Sequence, residues 1–354
     1  MIRSILFLGV IGSALGPCGS AAQAAEPTLK WGTRITWSEN DGPKAREHGA
    51  MVVDPARDRM FLIGGSGYSP YLSSLSDVWQ LELTTKKWCR VLPVIGTPSG
   101  GSRRVASVPQ RKLAYLFGGY DDKAAPNAEL YRFDYSADVP AFTVVTQENV
   151  PPPRSLHAFI YDPKSERFFL FGGIGKNNEV LGDTWSMSLQ AGRAVWTKLL
   201  PQTGPTARYG FLFGFDAEHG RLILFSGAQG VFPLNPALDT WSLNTRSEPP
   251  TWSLLVAADQ PGVPPGRRNG CGIFDPERQQ LIVFGGTADA MSVAPGLFVL
   301  DTRPETTGWS QLDLDNAPPL RASGFGFYDS ARKRTVLGFG NSTEVFRDLT
   351  SIGN

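Results

Sequence analysis

Short apolar segments separated by turn signals recur along the chain, and they predict β-strands. In one stretch, an apolar run at 157–161 ends at Asp162-Pro163, and a second run at 167–171 ends at Gly172-Gly173. After a polar loop at 175–179, residues 183–189 alternate large and small side chains as a half-buried strand does, and residues 194–199 form a fourth segment. Four short strands joined by tight turns predict one antiparallel sheet.

This four-strand pattern returns at an almost fixed period. Its most visible marker is a glycine pair, found at Gly64-Gly65, Gly118-Gly119, Gly172-Gly173, Ser226-Gly227 (one glycine replaced), Gly285-Gly286 and, scrambled, Gly338-Phe339-Gly340. The step is 54 residues, except for one step of 59. A period of this length with a glycine pair and aromatic residues in each unit is typical of propeller blades. The sequence therefore predicts an all-β, six-bladed propeller of four-stranded antiparallel blades.

Charged and aromatic positions keep the same register. An arginine lies eighteen residues before the first glycine position in five copies: Arg46, Arg154, Arg208, Arg267 and Arg321. An aspartate lies ten residues before it at Asp54, Asp162, Asp216, Asp275 and Asp329. The second copy has Gly100 at the arginine position, and we expect Arg103 or Arg104 to take its place. Each copy also carries aromatics after the glycine pair.

One group of motifs gives this repeat a family resemblance. The run Phe-Leu-Phe-Gly-Gly at 169–173, the Asp-Thr-Trp at 183–185 and the closing Trp196 resemble the kelch repeat, and the resemblance recurs six times over residues 30–354. In kelch adaptors of ubiquitin ligases, arginines of this type receive acidic peptide segments. In a periplasmic kelch mutarotase, the ligand is sialic acid, an anionic sugar. The resemblance implies a similar use here.

The two ends of the propeller are predicted to meet. The sixth copy ends just after its third strand, near Leu349, so its fourth strand must come from elsewhere. Trp31 precedes Arg46 by the same 15 residues that separate Trp252 from Arg267. We therefore expect residues 30–33 to close the ring, which removes two exposed sheet edges.

The N-terminus and the charge balance predict where the protein acts. Residues 1–24 resemble a signal peptide, with Arg3, an apolar stretch at 5–11 and the cleavage signal Ala22-Gln23-Ala24. We expect an exported protein, periplasmic or extracellular, whose residues 25–354 form a single, monomeric propeller domain without a membrane span. Lys and Arg number 34 against 33 Asp and Glu, which argues against nucleic-acid binding.

Motifs for catalysis or cofactor binding are missing from the sequence. His48, His157 and His219 do not follow a zinc-site spacing, and there is no nucleophile elbow, P-loop or dinucleotide fingerprint. We expect neither a metal nor a cofactor. Cys89 falls in an outer strand of blade 1 and Cys271 in the inner strand of blade 5, too far apart for a disulfide. Both are expected to be buried free thiols.

The arginine series is the main candidate for ligand binding. Each arginine precedes an innermost strand, so the up-and-down topology brings it to the same face as the loops between second and third strands. Guanidinium groups suit carboxylates and phosphates. The predicted ligand-binding residues are Arg46, Arg103, Arg154, Arg208, Arg267, Arg321 and the loop aromatics Tyr68, Tyr120 and Phe232. An alternative stays open: the arginines bridge neighbouring blades through Asp77, Asp183 and Asp239, and the aromatics pack within their loops.

These observations predict a binding protein. We expect an exported kelch-type module that recognises an acidic protein segment or an anionic carbohydrate through its loop-rich face, without chemistry of its own. The alternative is a periplasmic epimerase or mutarotase, an isomerase acting on an anionic sugar such as sialic acid, with no catalytic residue identified. In that enzyme, arginines would hold a carboxylate while an acid/base residue moves a proton.

Overall fold

The computed structural model describes residues 29–67, 74–92, 94–98, 100–289, 292–342 and 346–353. The helices in these ranges are short 3-10 turns at Pro55–Arg57, Pro109–Arg111 and Lys176–Asn178. The predicted signal peptide at 1–24 and the predicted ligand-binding residue Tyr68 lie outside the described residues.

Strands of the first three blades follow one another in sequence order. Two short strands, β1 (Lys30–Trp31) and β2 (Ile35–Thr36), precede the first blade. Blade 1 contains β3 (Arg46–Glu47), β4 (Ala50–Asp54), β5 (Arg59–Gly67), β6 (Ser74–Glu82) and β7 (Trp88–Arg90). Blade 2 contains β8 (Arg104–Val108), β9 (Leu113–Phe117), β10 (Leu130–Asp134) and β11 (Ala141–Val144). Then come β12 (Gln147–Glu148) and blade 3, with β13 (Ala158–Asp162), β14 (Arg167–Ile174), β15 (Val180–Gln190) and β16 (Arg193–Leu199).

The last three blades repeat the arrangement. Blade 4 contains β17 (Leu212–Asp216), β18 (Arg221–Phe225), β19 (Thr240–Asn244) and β20 (Thr251–Val256). Blade 5 contains β21 (Cys271–Asp275), β22 (Gln280–Phe284), β23 (Leu297–Asp301) and β24 (Gly308–Leu312). Blade 6 contains β25 (Phe325–Asp329), β26 (Arg334–Gly338) and β27 (Asp348–Gly353). The six blades are antiparallel sheets, and the innermost strands β4, β8, β13, β17, β21 and β25 surround a central channel.

The N-terminal strands close the ring, as the sequence predicts. Both β1 and β2 pair antiparallel with β27, and Trp31 lies opposite Ile352. The Trp31 indole packs edge-on against Phe284 of blade 5, with ring centroids 5.4 Å apart. The closing tryptophans of regular blades make the same contact, as in the pair of Trp252 with Phe171 at 5.0 Å. Trp31 is therefore the closing residue of blade 6.

The hydrophobic core lies between the blades. In blades 3 to 6 the closing tryptophan contacts a phenylalanine on the second strand of the preceding blade, and the centroid distances are 4.9 Å for Phe117 with Trp196 and 4.7 Å for Phe225 with Trp309. These aromatic pairs contribute about 0.5–1.5 kcal/mol each beyond their burial. Blades 1 and 2 differ, because Trp88 packs on Phe339 just after β26 and Phe142 stacks on Phe133 of its own blade. Where the contact recurs, the repeat in sequence becomes a repeat of packing in space.

Glycine pairs occur where neighbouring blades meet. At Gly172 the backbone has φ +63°, and a Cβ atom there would lie 2.7 Å from the carbonyl oxygen of Arg208 in the next blade. The following Gly173 donates its N–H to that same carbonyl at 2.9 Å. Equivalent bonds run from Gly119 to Arg154, from Gly227 to Arg267, from Gly286 to Arg321 and from Gly340 to Arg46. The close contact between blades therefore favours glycine at both positions, although Ser226 and Phe339 occupy the first position with φ of 61° and 56°.

The two cysteines of the described residues, Cys89 and Cys271, are both free thiols, as predicted, but only Cys271 is buried. The prediction that Cys89 is buried is wrong. In β7, Trp88 points into the core and is 9% exposed, so the next side chain along the strand points outward.

Candidate functional site

The arginine series forms a set of buried ion pairs. Two nitrogens of the Arg154 guanidinium donate to the two carboxylate oxygens of Asp183 at 2.6 and 2.9 Å, and a further bond reaches the carbonyl of Gly172 at 3.0 Å. The same bidentate pairs join Arg46 to Asp77, Arg208 to Asp239 and Arg321 to Asp348. The four arginine residues are at most 1% exposed.

Each ion pair lies within a single blade. The arginine precedes the innermost strand, and its aspartate lies at or near the beginning of the third strand of the same blade. The expected alternative, in which these pairs bridge neighbouring blades, is therefore corrected. The link between blades comes instead from the arginine's own backbone carbonyl, which accepts the glycine N–H described above. The predicted role of the series in ligand binding stays a prediction.

In blades 1, 3 and 4 the arginine lowers the pKa of its partner aspartate. Burial alone would raise the pKa of Asp183, but the Arg154 guanidinium and the indole N–H of Trp185 hold that pKa below its usual value. The same holds for Asp77 and Asp239, which also accept an indole N–H. The Asp-x-Trp motif in the sequence is thus one unit, in which the tryptophan orients the carboxylate for the arginine.

In the second copy, Arg103 takes the place of the missing arginine. Its Nη1 donates to the carbonyl of Gly118 at 2.8 Å, and its Nη2 donates to Glu129 at 3.0 Å. Glu129 thereby occupies the position that aspartate has in other copies. Of the two candidates at this gap, Arg103 is the one that fills it.

Blade 5 departs from the pattern because it lacks the acid. The residue at the aspartate position is Gly296, and Arg267 has no carboxylate partner among the described residues. Its guanidinium carbon lies 4.9 Å from the ring centroid of Phe298, its Nη2 is buried without a hydrogen bond, and burial lowers its pKa to about 10.

The channel mouth is the end of the channel at which the arginine loops lie. Two positions after each arginine position, the backbone has a left-handed φ of 50–62°, at His48, Ser102, Leu156, Gly210, Asn269 and Ser323. The N–H of His48 donates to Ser323, that of Ser323 to Asn269, that of Asn269 to Gly210 and that of Gly210 to Leu156, at 2.6–3.4 Å. These main-chain bonds link five successive blades around the mouth, and we call the six residues the mouth ring.

Two arginines without a carboxylate partner lie next to the mouth ring. Arg104 follows the ring residue Ser102 at the start of β8, and Arg268 precedes the ring residue Asn269. Within the described ranges neither side chain has an ion pair, and the Nε of each is buried without a hydrogen bond. Arg104 lies over Phe213 at 5.8 Å, which is a residue of blade 4, so its side chain extends into the channel. Arg268 lies over Tyr209 at 5.6 Å.

The two cations influence the same histidine. Burial, together with Arg104 and Arg268, lowers the pKa of His48 to about 3, so its imidazole is neutral at pH 7. Burial, Arg154 and Arg104 also hold the pKa of His157 well below its usual value. The two guanidinium groups also lie over two rings of the same segment of the chain, Phe213 and Tyr209. They therefore form a positive site at the channel mouth.

A carboxyl group accompanies this positive site. Glu47 precedes His48, with 4.0 Å between its Oε2 and the histidine Nε2. Burial raises the pKa of Glu47, and a hydrogen bond with Ser323 offsets part of that effect. Glu47 therefore holds a proton more readily than an ordinary surface carboxyl group.

The loop aromatics have different surroundings. Phe232 is 85% exposed, while Tyr120 is only partly buried. Tyr120 lies close enough to Tyr209 for its charge to affect the pKa of that phenol, which burial raises. Tyr209 also accepts a 3.4 Å hydrogen bond from Arg268. Tyr120 thus lies close to Tyr209, which contacts Arg268, and the predicted ligand-binding role of Tyr120 and Phe232 stays a prediction.

Sequence reasoning missed Arg268, Glu47 and Tyr209, and it named Arg104 only as a substitute for the absent arginine. A signal for the two cations does exist, because Arg103-Arg104 and Arg267-Arg268 are arginine doublets at the start of two copies. In each doublet, one arginine makes the repeated structural contact, so the other arginine has no role in the repeat. His219 lies in the turn between β17 and β18, where its side chain is 43% exposed and bonds Asp216 at 2.8 Å.

Among the described residues, no group of three His, Cys, Asp or Glu side chains is arranged to hold a metal ion. The described part of the chain also has no helix that is long and apolar enough to cross a bilayer.

Comparison with known proteins gives a consistent family. The KLHDC2/KLHL20/DRC7 Kelch-repeats domain matches residues 104–340, more than half of the chain. Adagio-like protein 3 of Oryza sativa subsp. japonica is 26% identical over 279 residues, which are 75% of this chain and 42% of that protein. Adagio protein 3 of Arabidopsis thaliana is 26% identical over 297 residues, covering 77% of this chain and 45% of that protein. The chain thus spans less than half the length of these relatives.

A solved structure shares the architecture. The structure of YjhT superposes with a TM-score of 0.65 and 12% sequence identity, and the match covers 89% of this chain and 99% of that one. At this identity, the likeness supports the fold alone.

Proposed function

Because the chain belongs to the kelch-repeat family, whose propellers are in general protein-binding, we propose that it is an exported module that binds an anionic ligand. The ligand is an acidic protein segment or a carboxylate-bearing carbohydrate, and it binds on the loop-rich face at the channel mouth. Family membership supports a binding module in general terms, whereas the anionic ligand, its place and the export are our proposal.

The observation that carries this proposal is the pair Arg104 and Arg268. Two guanidinium groups near one imidazole repel each other unless an anion lies close by. Most other buried arginines of the described chain have a carboxylate partner, as in the pair of Arg154 with Asp183. A ligand carboxylate would supply the missing counter-charge, and guanidinium groups bind carboxylates through two parallel hydrogen bonds.

The arginine series holds the loops that carry this site. Its ion pairs fix the loops that precede the innermost strands, and Arg104, Arg268 and the mouth ring belong to those loops or follow directly from them. In this proposal the series supports the loops, and the loop aromatics remain predicted ligand contacts. Arg104 and Arg268 are the contacts we propose for the charged group, because no protein carboxylate occupies their guanidinium groups within the described residues.

A binding experiment with paired variants tests the proposal. We would measure the melting temperature and calorimetric affinity of the mature protein with an acidic hexapeptide and with hexuronic acids. The double variant Arg104→Gln/Arg268→Gln is compared with Arg193→Gln, whose side chain is 62% exposed on the outer strand of blade 3. Binding to the folded state raises the melting temperature by mass action. A ligand concentration of a hundred times Kd adds about 2.7 kcal/mol to the free energy of unfolding.

At least one class of anion should stabilise the wild type and Arg193→Gln, and the double variant should lose that effect. If neither class of anion binds the wild type, or if the double variant binds equally well, the proposal is wrong. Export is tested separately, because mature protein recovered from a bacterial periplasm should begin at Ala25 by mass spectrometry.

A second candidate, the epimerase or mutarotase, is favoured by one specific feature. Glu47 and His48 lie side by side, with a carboxyl pKa raised by burial and an imidazole pKa lowered by burial and two cations. Such a pair could supply a proton donor and a proton acceptor beside a bound anionic sugar. Saturation-transfer NMR of the two anomers of sialic acid tests this candidate. Interconversion that Glu47→Gln abolishes would support it, and no acceleration above buffer would exclude that reaction.

A further inference from the structure

The channel contains a cavity of about 240 Å³ just inside the mouth ring. Its walls come from the first residues of the innermost strands of five blades, 49–51, 103–107, 211–213, 270–272 and 324–326. Arg104 and Phe213 are only partly buried there, so solvent reaches the cavity. Pockets for drug-sized molecules measure about 300–1,000 Å³, so this cavity suits a smaller ligand.

Polar groups inside the cavity are mostly backbone groups. Each innermost strand is hydrogen-bonded to the sheet on one side only, so its other edge, with free N–H and C=O groups, faces the channel. The cavity's side chains include few hydroxyl or thiol groups in the described residues, namely Ser107 and Cys271. The lining glycines allow close packing of neighbouring innermost strands, since a Cβ atom at Gly272 would lie 2.6 Å from the backbone nitrogen of Phe213. Such a wall offers many donors and acceptors, and a polyhydroxylated molecule can use both.

One charged group and several aromatic rings complete the cavity. The Arg104 guanidinium is the cation without a partner there, since Arg103 is engaged with Gly118 and Glu129. Phe213 and Phe325 also line the cavity, but Arg104 lies over the Phe213 ring at 5.8 Å and Phe325 stacks on Phe339 at 5.1 Å. The Arg104 cation and the backbone groups are therefore the main partners that the cavity offers to a ligand.

We infer that the ligand of this site is a sugar acid of monosaccharide size, whose carboxylate pairs with Arg104 while its hydroxyl groups bond the free edges of the innermost strands. The inference rests on the proposed function and chooses between its two ligand classes. An acidic protein segment would place a carboxylate near Arg268 at the mouth and would leave the cavity without a ligand.

The test is isothermal titration of the mature protein with glucuronate, galacturonate and N-acetylneuraminate, with glucose and galactose as neutral partners and an acidic hexapeptide as competitor. The variants are Arg104→Gln, Arg268→Gln and the surface control Arg193→Gln. At least one sugar acid should bind the wild type, and its neutral counterpart should not. Arg104→Gln should weaken binding of the sugar acid by about 10- to 100-fold, as expected for a lost hydrogen bond to a charged group.

Each outcome separates the inference from the proposed function. If the hexapeptide binds and every sugar acid fails, the inference is wrong and the proposed anion site stands. If a sugar acid binds but Arg104→Gln leaves its affinity unchanged, the cavity is not its site and the inference is again wrong. If no anion binds, both are wrong. Arg104→Gln should keep its melting temperature, so a loss of binding cannot be attributed to unfolding.

Discussion

Arg103 and Gly118 make the same hydrogen bond that Arg154 and Gly172 make one blade later, although Arg103 stands three residues further along its copy than Arg154 does. Gly100 occupies the regular arginine position. Its φ is +84°, and a Cβ atom there would lie 1.8 Å from the carbonyl oxygen of Tyr120. The contact with Tyr120 therefore excludes an arginine, and Arg103 supplies the guanidinium from a different point on the chain.

This relationship predicts that restoring the repeat at position 100 is harmful. Gly100→Arg recreates the pattern of the other copies, yet it should lower the free energy of unfolding by about 2–3 kcal/mol because of overpacking. The control is Gly192→Ala, where φ is +79° but no atom lies within 4 Å of the added Cβ. It should lose only about 1–2 kcal/mol from left-handed strain. Urea denaturation of both variants decides, and equal losses would contradict the steric explanation.

A second prediction concerns the arginine that lacks an acid. Arg208→Met leaves Asp239 without its partner and should cost about 3 kcal/mol of stability. Arg267→Met leaves no carboxylate behind in the described residues, and it removes a cation whose pKa burial already lowers to about 10. It should therefore cost clearly less than Arg208→Met. Equal destabilisation in thermal melts would show that Arg267 has an energetic role that its contacts do not explain.

The closing strand gives a third prediction. Trp31 is 8% exposed and packs on the blade 5 core, so Trp31→Ala should cost about 3–5 kcal/mol. Lys30→Ala, at the exposed neighbouring position of the same strand, should change stability by less than about 0.5 kcal/mol. Deleting residues 25–35 should lower the melting temperature sharply. A truncated chain that melts like the parent would rule out this closure.

The period, the blade count and the closing tryptophan could be predicted because the blades make similar packing contacts. The residues that make those contacts therefore recur along the sequence. Arg154, Gly172 and Trp196 are examples. The site could not be predicted in the same way. Arg104 and Arg268 are the residues that do not repeat, and whether an extra arginine has a carboxylate nearby depends on contacts between distant segments. The exposure of Cys89 was mispredicted because strand membership alone does not give the direction of a side chain.

A fourth prediction concerns acid stability. His48 is neutral in the folded protein down to a pKa of about 3, whereas the unfolded histidine takes up a proton near pH 6.5. The unfolded state therefore binds more protons between pH 6.5 and 3, and stability must fall as the pH falls through that range. From pH 7 to pH 5 this histidine should cost about 2 kcal/mol.

The variant His48→Asn tests the acid effect, because asparagine tolerates the left-handed backbone at this position. Its loss of stability between pH 7 and pH 5 should be smaller than that of the wild type by about 2 kcal/mol. An unchanged pH dependence in His48→Asn would mean that His48 is charged in the folded protein.

The central claim is that the protein uses two kinds of arginine. The arginines of the series hold each blade together, whereas Arg104 and Arg268 bind the ligand anion. The most direct test measures stability and anion affinity together in Arg154→Gln and Arg104→Gln. We expect Arg154→Gln to lose about 3 kcal/mol of stability while the folded fraction keeps its affinity. Arg104→Gln should keep the stability of the wild type and lose about 1.5–3 kcal/mol of binding free energy. The opposite result, an unstable Arg104→Gln variant that binds anions as well as the wild type, would contradict this division.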